Sequence, residues 1–228
     1  MKNISIAIDG PAGAGKSTIS KVIAKELGFV YIDTGAMYRA VALYAIQNAI
    51  DTKNADGALE ACLDDVDIDI IYKNQNQHVI LKGIDVTDRI RTPQMSIGAS
   101  DVSAVNAVRI KLVEIQRNLA KRTNVIMDGR DIGTNVLPNA DIKIFLTASV
   151  DDRANRRYSE MLEKGIESNF EDVKKDIEYR DKNDSTRTFA PLKQAEDAVL
   201  IDTSGNSLDK SINVIRDFIN KKIKSLQV

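Results

Sequence analysis

Residues 10–17 read Gly-Pro-Ala-Gly-Ala-Gly-Lys-Ser, which fits G-x-x-x-x-G-K-[ST] without exception. Glycines at this spacing let the backbone wrap closely around an anion and turn its N–H groups inward. A lysine after the last glycine can reach terminal phosphate oxygens as a point charge, and the hydroxyl beside it can ligate Mg²⁺. The chemistry is that of a nucleoside triphosphate bound with magnesium. Gly10, Pro11, Ala12, Gly13, Ala14, Gly15, Lys16, Ser17 and Thr18 form the expected cradle, with Ser17 on the metal. Asp9 and Asp128 stand at predicted strand ends and are candidates for the outer shell of that metal; polar strand-end caps are the alternative reading.

A second anion site is expected on the same rim. Residues 33–39, Asp-Thr-Gly-Ala-Met-Tyr-Arg, open a helix after a second strand, and in a parallel sheet that strand end lies beside the phosphate loop. Arg39 and Arg130 can grip a phosphate there by forked hydrogen bonds. Arg153, Arg156 and Arg157 share one helical face through their i, i+3, i+4 spacing. Such a face is often only solvated and paired, here with Asp151, Asp152 or Glu160. Beside a phosphate loop it also suits a lid, because phosphoryl transfer needs charge on the equatorial oxygens, in-line positioning and exclusion of water. Lys16, Arg130, Arg153 and Arg157 are thus the candidates for stabilising the transferred group.

These residues need a scaffold. Residues 3–8 are an apolar strand-like run, and residues 16–27 follow with Ile19, Val22, Ile23 and Leu27 at helical spacing before Gly28. Residues 29–32 make a second strand, residues 33–35 a turn and residues 36–48 a helix, which opens an α/β fold. Residues 65–72, 78–81 and 84–86 instead form a small antiparallel meander with a turn at 74–77. Helices are expected over 93–103 and 106–120. Strands resume at 124–127 and 141–146, then helices at 151–164 and 169–182, a strand at 198–201 and a helix at 208–223. The expected architecture is a P-loop α/β fold: a parallel five-stranded core sheet with flanking helices, a small inserted antiparallel subdomain at 60–92 and a helical lid at about 150–190. The core comprises residues 1–59 and 93–228.

Composition narrows the alternatives. The chain has 228 residues, 43% of them hydrophobic, with 32 Lys and Arg against 33 Asp and Glu. That balance offers no general attraction for nucleic acid or an anionic membrane, so anions must be met locally. One cysteine and one histidine exclude an internal disulfide framework and the usual Cys/His zinc spacings. Cys62 is expected as a small buried apolar residue, and His78 as a surface residue on a hairpin edge. No apolar run approaches membrane-spanning length and the N-terminus does not read as a signal peptide, so the expected compartment is the cytoplasm. A switch GTPase would need Asn-Lys-x-Asp after a strand, whereas Asp181-Lys182-Asn183-Asp184 falls in a polar helix end. A motor ATPase is matched only partly by the short strand ending at Asp128. A kinase of a small acceptor fits best, with a nucleotide-dependent binding module as the reading from another class.

The chain resembles the bacterial cytidylate kinase family. The resemblance rests on residues 8–17, 33–39, 128–134 (Asp-Gly-Arg-Asp-Ile-Gly-Thr) and 179–181, continuing through Arg187 to 190–192, together with the inserted meander. It implies ATP-dependent phosphorylation of CMP or dCMP by a monomer, with no nucleic acid or membrane partner. Another monophosphate such as UMP is the alternative acceptor. Arg39, Arg130 and Arg180 are implied as the clamp on the acceptor phosphate, beside the Thr34 hydroxyl. Ser100, Arg109 and Asp131 are implied as the base-reading set, and Asp184 and Arg187 as the sugar-binding pair. A helix-surface role remains the alternative for Ser100.

Overall fold

The computed structural model describes residues 3–226. β1 (Ser5–Asp9) buries Ile6, Ala7 and Ile8, as an apolar strand in a sheet covered on both faces must. α1 (Lys16–Leu27) starts where Gly15 turns left-handed and ends where Gly28 does the same and closes its N–H onto Ala24 and Lys25. β2 (Val30–Asp33) runs directly into α2 (Thr34–Gln47), because the Asp33 carboxylate accepts the Ala36 N–H and caps the helix. The turn expected at 33–35 is therefore mostly the first turn of α2.

A short helix that the sequence reading lacked, α3 (Asp56–Ala61), precedes the small sheet. That sheet consists of β3 (Ile68–Lys73), β4 (Asn76–Leu81) and β5 (Ile84–Asp85), neighbours in that order and antiparallel. Its first turn is tighter than expected. Asn74 and Gln75 carry φ of 50° and 64°, so residues 76 and 77 belong to the strand rather than to the turn. α4 (Pro93–Val102), capped by Thr92, and α5 (Asn106–Ala120) follow. The remaining elements are β6 (Val125–Gly129), β7 (Ile142–Thr147), α6 (Val150–Glu163), α7 (Phe170–Thr186), β8 (Val199–Asp202) and α8 (Leu208–Leu226).

The five-stranded sheet has the order β2-β6-β1-β7-β8 and every pairing is parallel. Register sets Asp9 opposite Gly129 and Asp33 opposite Asp128, so the carboxyl ends of β1, β2 and β6 lie level on one rim. One face of the sheet packs Ile6, Ile8, Ile126 and Ile144 on Ile19 and Ile23 of α1 and Ile215 and Ile219 of α8. α2, α4 and α5 share another apolar cluster with Ile68, Ile70, Val79 and Leu81 of the small sheet. α6 and α7 have a cluster of their own in Ala154, Met161, Val173 and Ile177. Cys62 is half-buried at the end of α3 rather than buried, its thiol 3.1 Å from the Ala58 carbonyl. His78 lies in β4 at the hairpin, 2.8 Å from Asp85.

Candidate active site

The loop after β1 is shaped by contact with β7. A Cβ on Gly10 (φ 148°) would stand 1.9 Å from the Leu146 carbonyl oxygen, so only glycine lets the chain pass there. Lys16 is buried and donates to the Pro11 carbonyl at 2.7 Å. Burial, and then the positive charge of Arg130, hold its pKa well below the ordinary lysine value. An anion at this point relieves both effects. The Ser17 hydroxyl donates to Asp128 at 2.7 Å, and the Tyr31 hydroxyl donates to the other carboxylate oxygen at 2.9 Å. Burial and the neighbouring Asp33 raise the Asp128 pKa. A hydroxyl beside a crowded carboxylate is a hard-oxygen donor set, which fits Mg²⁺. Asp9 is arranged differently. Its two oxygens accept the Ile132 and Gly133 N–H groups, each at 2.7 Å, and burial lifts its pKa to about 7. Those bonds fasten a single turn of π-helix, Ile132–Val136, that directly follows Asp131. Of the two carboxylates considered for the metal's outer shell, Asp128 lines the cavity, whereas Asp9 caps this turn.

The cavity along the rim has a volume of about 720 Å³. Gly13 to Thr18 line one part of it. All nine residues expected on the acceptor side line it as well: Thr34, Arg39, Ser100, Arg109, Arg130, Asp131, Arg180, Asp184 and Arg187. Asp131 lies 2.5 Å from the fully buried guanidinium of Arg109 and accepts from Arg187 at 3.3 Å and from Asn135 at 2.9 Å. Asp184 accepts from Arg130 at 2.6 Å and from Ser100 at 3.2 Å. Despite burial, Arg130, Arg187 and Arg180 hold the Asp184 pKa below the usual carboxylate range. Ser100 is buried, so the helix-surface alternative does not apply to it. Arg180 carries a buried Nε with no hydrogen-bond partner, and burial with the nearby Arg130 pulls its pKa down to about 10.

The arginines of α6 divide. Arg157 lines the cavity and pairs with Glu160 at 2.9 Å. Arg153 does not line it. Its guanidinium donates to the carbonyls of Ala148 at 3.0 Å and Ala12 at 2.9 Å, and pairs with Asp181 at 2.6 Å. Asp181 in turn accepts the Ala12 N–H at 3.3 Å, so this pair ties α6 and α7 to the phosphate loop. Gly10, Pro11 and Ala12 also stand outside the cavity lining and act through the path of the loop. Arg156 does line the cavity and donates to Thr203 and to the Asn206 carbonyl.

Sequence reasoning missed several residues here. Asp33 accepts from Arg39 at 2.8 Å and from Arg91 at 3.0 Å, and Arg91 lines the cavity. Against the cost of burial, these two arginines hold the Asp33 pKa at about 2. Gln77 of β4 accepts the Asp33 N–H at 2.8 Å and donates to the Asp33 carbonyl at 3.1 Å. Tyr38 lies under Arg109, whose guanidinium carbon is 5.5 Å from the ring centroid. The sequence signal for Asp33 was its helix-capping position; Gln77 had none, because a glutamine in a strand declares no partner.

A glycine-wrapped loop at a strand end, a buried lysine and a cation-rich cavity on the same rim define a P-loop phosphotransferase. The family model for cytidylate kinase matches residues 6–221. A cytidylate kinase of Caldicellulosiruptor bescii is 50% identical over 225 residues, covering 99% of each chain. One from Caldicellulosiruptor saccharolyticus is 51% identical over 223 residues, covering 98% of each. An uncharacterized protein from Eubacterium ventriosum has a similar fold, with a TM-score of 0.53 at 13% identity over 96% of this chain and 99% of that one. The chain belongs to the cytidylate kinase family. It is a nucleoside monophosphate kinase, and its reaction is the ATP-dependent phosphorylation of CMP or dCMP.

Proposed function

We propose that the two parts of the cavity take the two substrates of one in-line transfer. ATP occupies the loop end, with its terminal phosphates against Lys16 and the N–H groups of residues 13–18. Ser17 and Asp128 would hold Mg²⁺ there, Ser17 through its hydroxyl and Asp128 through its carboxylate. The ion neutralises charge on the triphosphate when bound. CMP or dCMP occupies the other end, with its phosphate between Arg39, Arg130 and Arg180, near Thr34. Asp184 and Arg187 meet the sugar. Cytosine offers an amine donor beside ring acceptors, which complements Asp131 as acceptor and Arg109 and Ser100 as donors. Uracil places a carbonyl where cytosine has the amine, and a carboxylate repels it. The acceptor phosphate is already ionised near neutral pH, so transfer needs no general base. Lys16, Arg130 and Arg157 stabilise charge on the moving phosphoryl group, while Arg153 keeps the lid helices seated on the loop. The products are ADP and CDP or dCDP.

The observation that carries this reading is the Asp131 carboxylate, held by two arginines in the same cavity as Lys16. Gln77, reaching from the small sheet to Asp33, supports residues 60–92 as an acceptor-side subdomain. On this reading the chain acts as a monomer on small nucleotides in cytoplasmic pyrimidine metabolism, and the near balance of 32 Lys and Arg with 33 Asp and Glu gives no general attraction for nucleic acid or an anionic membrane. A coupled ADP-release assay with CMP, dCMP, UMP and AMP tests it. CMP and dCMP are expected to lead, and UMP outpacing CMP would sink the cytosine-reading role of Asp131.

A further inference from the structure

α7 carries two side chains of the acceptor site, Arg180 and Asp184, one turn apart. Beside each stands a residue that reaches to α4. The Tyr179 hydroxyl donates to Asp101 at 2.6 Å, and Asn183 donates to the Ser100 hydroxyl at 3.0 Å. Thus consecutive residues of α4 grip one face of α7 while the adjacent face presents Arg180 and Asp184. Asp101 is itself braced, because the Thr52 hydroxyl donates to its other oxygen at 2.9 Å. The Lys53 ammonium lies 5.8 Å from the centre of the Tyr179 ring and adds a second contact from the same turn. Asp184 is oriented by Arg130 and Ser100, but the buried Arg180 Nε has no hydrogen-bond partner among the described residues. The aim of that guanidinium is therefore set chiefly by the rotation of its helix, for which a residue step is about 100°.

We propose that Tyr179 is a positioning residue: its hydroxyl, held by Asp101, fixes the rotation of α7 that points Arg180 at the acceptor phosphate. This rests on the reading that Arg180 binds that phosphate. The residue acts mainly on acceptor binding: Asp181 of the same helix also meets the phosphate loop, but its carboxylate keeps its own bonds to Arg153 and the Ala12 N–H. It is also separable from folding, because the Tyr179 ring is 40% exposed and Tyr179→Phe removes a single oxygen.

The test is steady-state kinetics of Tyr179→Phe, Asp101→Asn, their double variant and Arg180→Lys, each after a melting curve confirms a folded chain. Tyr179→Phe is expected to raise KM for CMP by roughly five- to tenfold, less than the full worth of a hydrogen bond to a charged group because the lost bond reaches CMP only through the aim of Arg180. KM for ATP and kcat should stay within about twofold of the parent, since Asp181 keeps its own hold on Arg153 and the phosphate loop. Asp101→Asn should give a smaller rise, and the double variant no more than Tyr179→Phe, because the two residues act as one unit. An unchanged KM for CMP, an equal rise for ATP, or additive effects in the double variant would each overturn the inference. Arg180→Lys separates the two layers. If it leaves KM for CMP unchanged, the acceptor-site reading fails and this inference falls with it. If it raises KM while Tyr179→Phe does not, only the positioning role fails.

Discussion

Asp131→Asn is the most informative single substitution. It keeps the shape of the side chain and removes the charge lying 2.5 Å from Arg109 and 3.3 Å from Arg187. Breaking a buried ion pair costs about 3–5 kcal/mol when nothing replaces the lost partner. Here the amide retains one carbonyl acceptor. Arg109 keeps the Ser103 carbonyl at 3.2 Å, and Arg187 keeps the Ala190 carbonyl at 2.7 Å and the Ser103 hydroxyl at 3.2 Å. The expected loss is therefore about 2 kcal/mol, which lowers Tm by roughly 4–8 °C for a chain of this size. On the substrate side, a hydrogen bond from the cytosine amine to a carboxylate is worth about 1.5–3 kcal/mol, or roughly 10- to 150-fold in kcat/KM for CMP. UMP gains at the same time, because the asparagine amide can donate to its carbonyl. The preference for CMP over UMP should fall by about two orders of magnitude. ADP release is measured with both acceptors at saturating ATP, beside a thermal melt. A variant that melts only a few degrees lower yet keeps the parental CMP-to-UMP ratio refutes the argument.

Lys16→Ala should reduce turnover by roughly a hundred- to a thousandfold while the circular dichroism spectrum of the fold persists, since the lysine stabilises charge rather than structure. Arg153→Lys keeps the charge but loses the guanidinium fork that joins Ala148, Ala12 and Asp181; KM for ATP should rise more than KM for CMP in the same ADP-release assay. Asp33 titrates at about 2 in the fold against 3.8 in the unfolded chain. A depressed carboxylate contributes its stability above pH 3.8 and loses it as the pH falls through about 2. Asp33→Asn should therefore remove about 2 kcal/mol at neutral pH and flatten the acid limb of denaturant-measured stability between about pH 4 and 2.

What was legible in the sequence was whatever local chemistry determines. The ends of α1 coincide with the reading because Gly15 and Gly28 turn left-handed on their own account. The helix expected over 106–120 is found as Asn106–Ala120. α7, expected to stop at 182, runs on to Thr186 because Asn183 and Asp184 are held by Ser100 and Arg130 from other elements. The π-helical turn after Asp131 had no local signature either; its amides are fastened by Asp9, more than 120 positions earlier in the chain. The same limit explains the site. Most residues expected on the acceptor side were singled out through motifs, Ser100 and Arg109 only through the family resemblance, while Gln77 and Arg91 enter only through their bonds to Asp33. Arg153 was assigned to the right helix, but the side its guanidinium serves is decided by the carbonyls of Ala12 and Ala148.

The crowding of cations around Lys16 has an evolutionary consequence. Lys16 and Arg180 are both held below their ordinary pKa by burial and by Arg130, so the rim carries a repulsion that Asp128 and Asp184 offset in part and a bound anion relieves further. A substitution that neutralises one of them relieves the protein alone while removing the means of transfer. Selection for thermal tolerance without selection for growth would therefore drift toward inactive chains, with losses gathering at positions 16 and 180 rather than at Arg130, whose charge Asp184 holds. A stabilisation campaign on this scaffold should leave that rim untouched and look to the apolar face between α1, α8 and the sheet.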